Sequence, residues 1–316
     1  MVKVGIVGTG NMGKNHIRLT KEMHDRFELC AVYDPDESRV KSLEVSDIAT
    51  ASEEELIDKC DAVIIAAPSS LHKQIALKAA SAGKHLLVEK PLSLSTQDAN
   101  EIVEAYKNLD RVLMVGHVER FNSAVIEMEK VLQKEEIIAV NIERCSSKDN
   151  RIKDTDVVYD LMIHDVDILL NAILPNNEIV SLSSAGTRVY SHNYMDYVQS
   201  LFKFDNGVVA SIVSSRATED KLRRIDIHCK NSFIKVDLLD KKISILKSTV
   251  LKSLGNGSAF KKENMMTKVF VPNIEPLRAE LKHFGYCIEN KTSPITCGKS
   301  AVRSIEVLDI IKGQLY

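Results

Sequence analysis

The chain has no tryptophan, and aromatic residues of all kinds make up only 5% of its 316 positions. That scarcity carries no functional information, but other absences do. Neither sign of charge dominates: 42 Lys and Arg stand against 44 Asp and Glu, for a formal net charge of −2. Nucleic acid or an anionic membrane therefore has no electrostatic claim as a partner. The local runs Lys221-Leu222-Arg223-Arg224 and Lys261-Lys262 read as solvated surface. No apolar run approaches the ~20 residues that a membrane span needs. The opening Met1-Val2-Lys3-Val4-Gly5 runs straight into a strand and lacks the layout of a signal peptide. Six cysteines (Cys30, Cys60, Cys145, Cys229, Cys287, Cys297) lie far apart, with no CxxC spacing. Thiols dispersed in this way act as small apolar residues in a reducing compartment, so the cytoplasm is expected. Internal repeats and low-complexity tails are also missing.

Apolar residues at 44% and charged residues at 27% are ordinary for a globular chain, and the length exceeds one hydrophobic core. Two domains are expected, 1–120 and 121–316. In the first, Val2-Lys3-Val4-Gly5-Ile6-Val7 is a β-branched run followed directly by Gly8-Thr9-Gly10-Asn11-Met12-Gly13, and Lys14 to Met23 reads as a helix. Strand, GxGxxG, helix is the context of a dinucleotide fingerprint. The first glycine permits the tight turn, the second lets a pyrophosphate reach the backbone, and the third lets helix and strand pack closely. A second strand, Phe27 to Tyr33, ends in Asp34 about twenty residues on, where a ribose hydroxyl is bound. A 2′-phosphate beside Asp34 is disfavoured, because a like-charge pair at 4 Å costs about 4 kcal/mol at an effective dielectric near 20. Even a third of that is about tenfold in affinity. NAD is favoured, with NADP as the alternative because Arg39, one turn into the next helix, offsets the repulsion.

The alternation continues through Ala62 to Pro68, a helix from Leu71 to Ala82 capped by Ser69 and stopped by Gly83, and the strand His85 to Glu89. A helix over Ser95 to Asn108 and a strand over Val112 to Val118 follow. Regular strand–helix succession gives an α/β doubly wound parallel sheet, whose ligands bind beyond the carboxyl ends of the strands. Gly8–Gly13, Asp34, Pro68-Ser69, Glu89-Lys90 and His117–Asn122 fall there. Pro91 restrains Lys90 to an extended conformation, which aims both charged side chains of Glu89-Lys90. His72, one turn into its helix, is either a surface histidine or a contact at the cofactor edge.

From about residue 137 the pattern changes to α+β: a strand over Ile137 to Cys145, a helix over Tyr159 to Ile173, then strands near 178–190, 196–204, 208–216, 225–230 and 233–246. Asp205-Asn206-Gly207 and Lys230-Asn231-Ser232 read as hairpin turns. The expectation is a large, mainly antiparallel open sheet with helices on one face and solvent or a second subunit on the other. Leu254–Met266, with Gly255-Asn256-Gly257, reads as a loop, and helices near Glu275–Glu289 and Gly298–Ile311 close the chain. On the helix, Asp160, His164 and Asp167 are spaced i, i+4, i+7 and share a face. A carboxylate one turn from an imidazole orients it and stabilises its protonated form, as general acid–base work requires. A metal site is the weaker alternative, since one helix rarely supplies every ligand. A plain polar helix face is the third reading.

These pieces together resemble the Gfo/Idh/MocA family of oxidoreductases, over essentially the whole length. The likeness rests on Gly8-Thr9-Gly10-Asn11-Met12-Gly13, Ala67-Pro68-Ser69-Ser70-Leu71-His72, Glu89-Lys90-Pro91 at the end of a fifth strand, and Asp160-xxx-His164. It implies a Rossmann domain followed by an α+β domain that binds substrate and forms a homodimer or homotetramer through its sheet. It also implies catalysis by Lys90, which binds the reacting hydroxyl, and by His164, which exchanges its proton with Asp160 behind it. Cofactor contacts would come from Gly8, Gly10, Asn11, Met12, Gly13, Asp34, Arg39, Pro68, Ser69, His72, Glu89, Lys90 and Arg120. Substrate contacts would come from Lys90, Glu119, Asp160, His164 and Asp167, with no metal. Gly116-His117-Val118-Glu119-Arg120-Phe121-Asn122 and Arg151-Ile152-Lys153-Asp154 are most similar to the nucleotide-sugar branch of UDP-N-acetylglucosamine 3-dehydrogenases. Val157-Val158-Tyr159 stands where many members approach the helix through glycines. The implied substrate is a sugar or nucleotide sugar. A free polyol such as an inositol is the alternative, and a non-catalytic NAD-binding sensor a remoter one, with no need for Lys90, Asp160 and His164 together.

Overall fold

The computed structural model describes residues 1–148, 156–190, 192–250 and 262–316. Arg151-Ile152-Lys153-Asp154 and Gly255-Asn256-Gly257 lie outside them. In chain order the elements are β1 (Val2–Val7), α1 (Asn11–Glu22), β2 (Phe27–Tyr33), α2 (Glu37–Lys41), α3 (Glu53–Lys59), β3 (Ala62–Ile65), α4 (His72–Ser81), β4 (His85–Glu89), α5 (Thr96–Tyr106), β5 (Leu113–Gly116), α6 (Ser123–Leu132), β6 (Ile137–Cys145) and α7 (Ile163–Ile168). Then come β7 (Ile179–Thr187), β8 (Tyr197–Phe204), β9 (Val209–Ser215), β10 (Leu222–Cys229), β11 (Phe233–Asp237), β12 (Lys242–Val250), β13 (Lys262–Val269), α8 (Pro276–Asn290) and α9 (Gly298–Leu315).

The first compact unit is Met1–Phe121 with Glu275–Asp309. Its five parallel strands run in the order β2-β1-β3-β4-β5. Alternate residues of each strand face opposite sides, so the sheet carries two apolar cores. On one side Val63, Ile65, Leu86 and Val115 pack with α3, α4, α5 and Ile305 of α9. On the other, Ile6, Ile64, Leu87 and Met114 pack with Ile17 of α1 and Leu281 and Phe284 of α8. The expected cut at 120/121 is therefore incomplete: the chain returns at Glu275, because the apolar faces of α8 and α9 complete these cores. The strand ending at Glu89 is the fourth of the chain, not the fifth.

The second unit is Asn122–Ile274 with Ile310–Tyr316. Its eight strands run β13-β12-β11-β10-β6-β9-β8-β7, antiparallel throughout except for the β6–β9 pair. Val140, Ile142, Ile212, Phe202, Ile225 and Ile234 alternate onto the buried face, with Met162, Ile163, Val166 and Leu170 from the segment around α7 also in the core. The register sets Leu201, Ser211, Asn141 and Asp226 in one row on the opposite face.

Three local expectations need correction. The stretch 233–246 is two strands, because Asp237 Oδ1 accepts from the amides of Leu239 and Asp240, both at 2.9 Å, and turns the chain. Residues 262–266 belong to a strand paired with β12 rather than to a loop. Ser69 opens a 3₁₀ turn, Ser69–Leu71, and caps nothing, since α4 starts one turn later behind Leu71.

Candidate active site

The sheet order changes direction between β1 and β3, so the loops after these strands diverge and leave a crevice at their carboxyl ends. Gly8 lies there with φ +91°, and a Cβ on it would come within 2.6 Å of the Ala66 backbone. A Cβ on Gly13 would meet the Gly8 carbonyl oxygen at 2.0 Å. Gly10 is different: its Cβ would find nothing within 4 Å, and no side chain caps the start of α1 behind it. Two glycines are thus demanded by packing, and the third keeps space open over uncapped helix amides, the arrangement that receives a pyrophosphate. Asn11 is exposed and Met12 half-buried in the first turn of α1.

Asp34 is buried and latches this loop: its Oδ2 accepts from the Thr9 amide at 2.7 Å and the Thr9 hydroxyl at 2.8 Å, and its Oδ1 from the Asp36 amide at 2.9 Å. Burial opposes the charge, but these donors and the Arg39 guanidinium outweigh it and hold the carboxyl below its usual range. Arg39 itself pairs with Asp36 at 3.2 Å and is half exposed. The residues present therefore fit a dinucleotide, with an ionised acid at the ribose position.

Pro68 is exposed and Ser69 half-buried beyond β3. His72 is no surface histidine. It is 1% exposed, with Nδ1 2.8 Å from the Pro91 carbonyl oxygen and Nε2 2.9 Å from that of Ala67. Burial lowers its pKa against the pull of both carbonyls and of Glu89, so near neutral pH it carries one N–H and donates it to one of them. The ring straps the turn after β3 to the turn after β4, where Lys90 lies half-buried before a cis-proline. Glu89 faces inward: Oε1 meets His16 Nε2 at 2.8 Å, and Oε2 fills the space where a side chain on Gly116 would go. Glu119 and Arg120 are buried in the 3₁₀ turn Val118–Phe121 directly after β5.

In the second unit the helix begins at Val158, where Asp156 Oδ1 accepts from the amides of Val158 at 3.0 Å and Tyr159 at 3.3 Å. It is not α-helical throughout: π turns at Val158–Met162 and Leu169–Ile173 flank α7. Asp160 and His164 are half-buried. Asp167 does not share their exposure. It is 1% exposed and accepts from Asn171 Nδ2 at 2.9 Å.

Several polar residues here carry no sequence motif. The Arg216 guanidinium lies 4.0 Å from Asp160 and 3.9 Å from Asp196. Arg144 forks onto Asp165, next to His164. Glu280, on the core face of α8, is fully buried. Arg144 was the readable one, as a charge on the apolar face of an alternating strand. Among the described residues no cluster of His, Cys, Asp and Glu could hold a metal ion.

Two family models match the chain: "Oxidoreductase family, NAD-binding Rossmann fold" over residues 2–117 and "GFO/IDH/MocA C-terminal domain" over residues 141–235. The chain belongs to the Gfo/Idh/MocA family. As such it is an NAD-binding oxidoreductase. It is 29% identical over 249 residues to a UDP-N-acetylglucosamine 3-dehydrogenase of Acidithiobacillus ferrooxidans, covering 77% of this chain and 76% of the relative. The structure of an enzyme of that name from the same organism superposes with a TM-score of 0.88 at 24% identity, covering 99% of this chain and 97% of the other. A scyllo-inositol 2-dehydrogenase (NAD(+)) of Bacillus subtilis is 27% identical over 325 residues, covering 97% of this chain and 92% of the relative. Levoglucosan dehydrogenase in complex with NADH shares the fold, with a TM-score of 0.82 at 17% identity over 99% and 96% of the two chains.

Proposed function

We propose that this member of the family is an NAD-dependent dehydrogenase that oxidises or reduces a ring secondary alcohol of a sugar, best matched by a UDP-N-acetylglucosamine 3-dehydrogenase. The observation that carries the reading is Lys90, held at the carboxyl end of β4 in the same unit as the dinucleotide cradle, in a chain that also supplies Asp160-xxx-His164. When bound, the nicotinamide exchanges a hydride with the carbinol carbon. Lys90 as a cation holds and polarises the reacting oxygen. His164 takes the hydroxyl proton in oxidation and returns it in reduction, with Asp160 one turn away to stabilise the imidazolium. Glu119 and Arg120, in the turn after β5, serve substrate and cofactor respectively. The ionised Asp34 favours NAD over NADP, which a titration with NADH and NADPH tests: tighter NADPH binding overturns that preference.

Lys90→Ala and His164→Ala are each expected to lower kcat by about 10²–10⁴ while NADH still binds. Turnover left intact by both on a verified substrate ends the assignment. The second reading, a free cyclic polyol as substrate, is supported by the scyllo-inositol enzyme's match along nearly the whole chain. Product analysis with UDP-sugars against free inositols and sugars separates the two. The open face of the eight-stranded sheet, with Leu201 53% and Val209 39% exposed, supports assembly into a homodimer or homotetramer. The dispersed, unpaired cysteines support a cytoplasmic location.

A further inference from the structure

We propose that the ion pair of Arg144 and Asp165 is a positioning device for the proton-handling helix: it fixes the rotation and axial placement of α7, and through them the aim of the His164 imidazole. The proposal rests on the reading of His164 as proton acceptor. Both side chains are enclosed, at 2% and 1% exposure. Arg144 Nε donates to Asp165 Oδ1 at 3.0 Å and Oδ2 at 2.9 Å, and Nη2 donates to Oδ1 at 2.8 Å. Arg144 comes from β6, which has neighbours on both edges, so it projects from a rigid part of the sheet.

Stability does not explain the pair. Burying two charges costs several kcal/mol per ion, and apolar residues of the same volume are commonly as stabilising or more so. Residues two before Arg144 and on either side along the helix (Ile142, Ile163, Val166) are themselves fully buried and apolar, so an apolar pair suits this core. What an apolar contact lacks is direction. A guanidinium that engages both oxygens of a carboxylate accepts only a narrow range of orientations. α7 needs such a reference, because it is α-helical for only six residues with a π turn at each end. A π turn holds one residue more than the α turn it replaces, so for the segment between two of them a register one residue away is a near alternative on the backbone ladder. His164 adjoins Asp165, and a shift of one residue along an α-helix turns a side chain by about 100° and moves it about 1.5 Å. A misplacement near 1 Å costs a reaction about a hundredfold.

The test is the double variant R144M/D165L with R144K beside it, the latter keeping the charge and losing the fork. R144M/D165L is expected to melt at or above the wild-type temperature and to bind NADH as the wild type does, with kcat down about a hundredfold. The pH profile of kcat should shift as well, because a mis-aimed imidazole titrates in a new environment. R144K, folded by near-ultraviolet circular dichroism, is expected to show the same kcat loss at unchanged NADH affinity, and it decides the matter if the double variant does not fold. A folded variant of either kind with wild-type kcat and pH profile overturns the proposal. H164A separates the two levels. If H164A keeps full turnover, the reading of His164 fails; if H164A is inactive while R144M/D165L is wild-type, only the positioning role fails.

Discussion

At Gly10 a methyl group meets open space, whereas at Gly13 it lands 2.0 Å from the Gly8 carbonyl oxygen. Gly10→Ala is expected to leave the melting temperature nearly unchanged and to weaken NADH binding at least about tenfold, about 1.4 kcal/mol, since the methyl occupies the approach to the helix amides. Gly13→Ala is expected to destabilise the protein by about 4 kcal/mol or more, because backbone must move. Calorimetry with and without NADH distinguishes them; equal loss of stability in both ends the separation of roles. Glu280 is the opposite kind of residue, one whose local rule is broken. It follows Leu277 by three and precedes Phe284 by four, on the face that joins the core, and among the described residues neither carboxylate oxygen has a hydrogen-bond partner. Burial, and then the like charge of Glu89, push its pKa well above the usual carboxylate range. A carboxyl with a raised folded-state pKa contributes stability below its unfolded pKa of about 4.5 and loses it as pH rises toward the folded value. Glu280→Gln removes that slope. Its stability relative to wild type should therefore grow by up to about 1.4 kcal/mol per pH unit above about pH 4.5, measured by urea unfolding at pH 5 and 7.5. A constant difference between the two pH values shows that Glu280 is not a neutral acid in the fold.

At the scale of elements, the sequence was most legible where periodicity and turn chemistry agree. The strand Ile137 to Cys145 stands where it was expected, and the helix expected over Ser95 to Asn108 forms over Thr96–Tyr106, with Ser95 as its cap, accepting from the Asp98 amide at 3.2 Å. It was least legible where a tertiary bond decides a local shape. The 3₁₀ turn at Ser69 and the start of α4 depend on the His72 ring reaching back to Ala67, and a partner carbonyl at Pro91 leaves no trace in the local sequence. The π turns around α7 are equally silent, since Tyr159 to Ile173 reads as one helix. His72→Ala removes the strap between the turns after β3 and β4, empties the volume of a buried ring and leaves one carbonyl without its donor. It is expected to cost about 2–4 kcal/mol, and to speed hydrogen exchange in residues 67–71 and 90–93 ahead of the rest of the sheet. A uniform change in exchange across the sheet tells against a local strap.

For the whole molecule, composition and alternation separated a parallel α/β half from an antiparallel half, but the chain's return to the first unit was not visible. Nothing in the spacing of Leu277, Leu281 and Phe284 or of Ile305 says which sheet they cover; only packing decides. The consequence is measurable. Burying each of those side chains contributes about 1.5–3 kcal/mol, so the four together supply about 6–12 kcal/mol, comparable with the 5–15 kcal/mol that holds an entire domain together. A fragment ending at Phe121 keeps every strand of the parallel sheet and the whole glycine loop, yet exposes both cores where α8 and α9 belong. It is expected to show no cooperative unfolding transition and no rise in melting temperature with NADH. Residues 1–121 joined by a flexible linker to 275–309 are expected to recover both: the ring centroids of Phe121 and His283 lie 5.5 Å apart, and Glu275 is eight residues before His283, about 12 Å back along α8, a span that a linker of several residues covers. Saturating NADH at 100 times its dissociation constant should then stabilise the rejoined unit by about 2.7 kcal/mol. If the fragment ending at Phe121 alone unfolds cooperatively and responds to NADH, the closing helices are dispensable and the boundary read from sequence is the physical one.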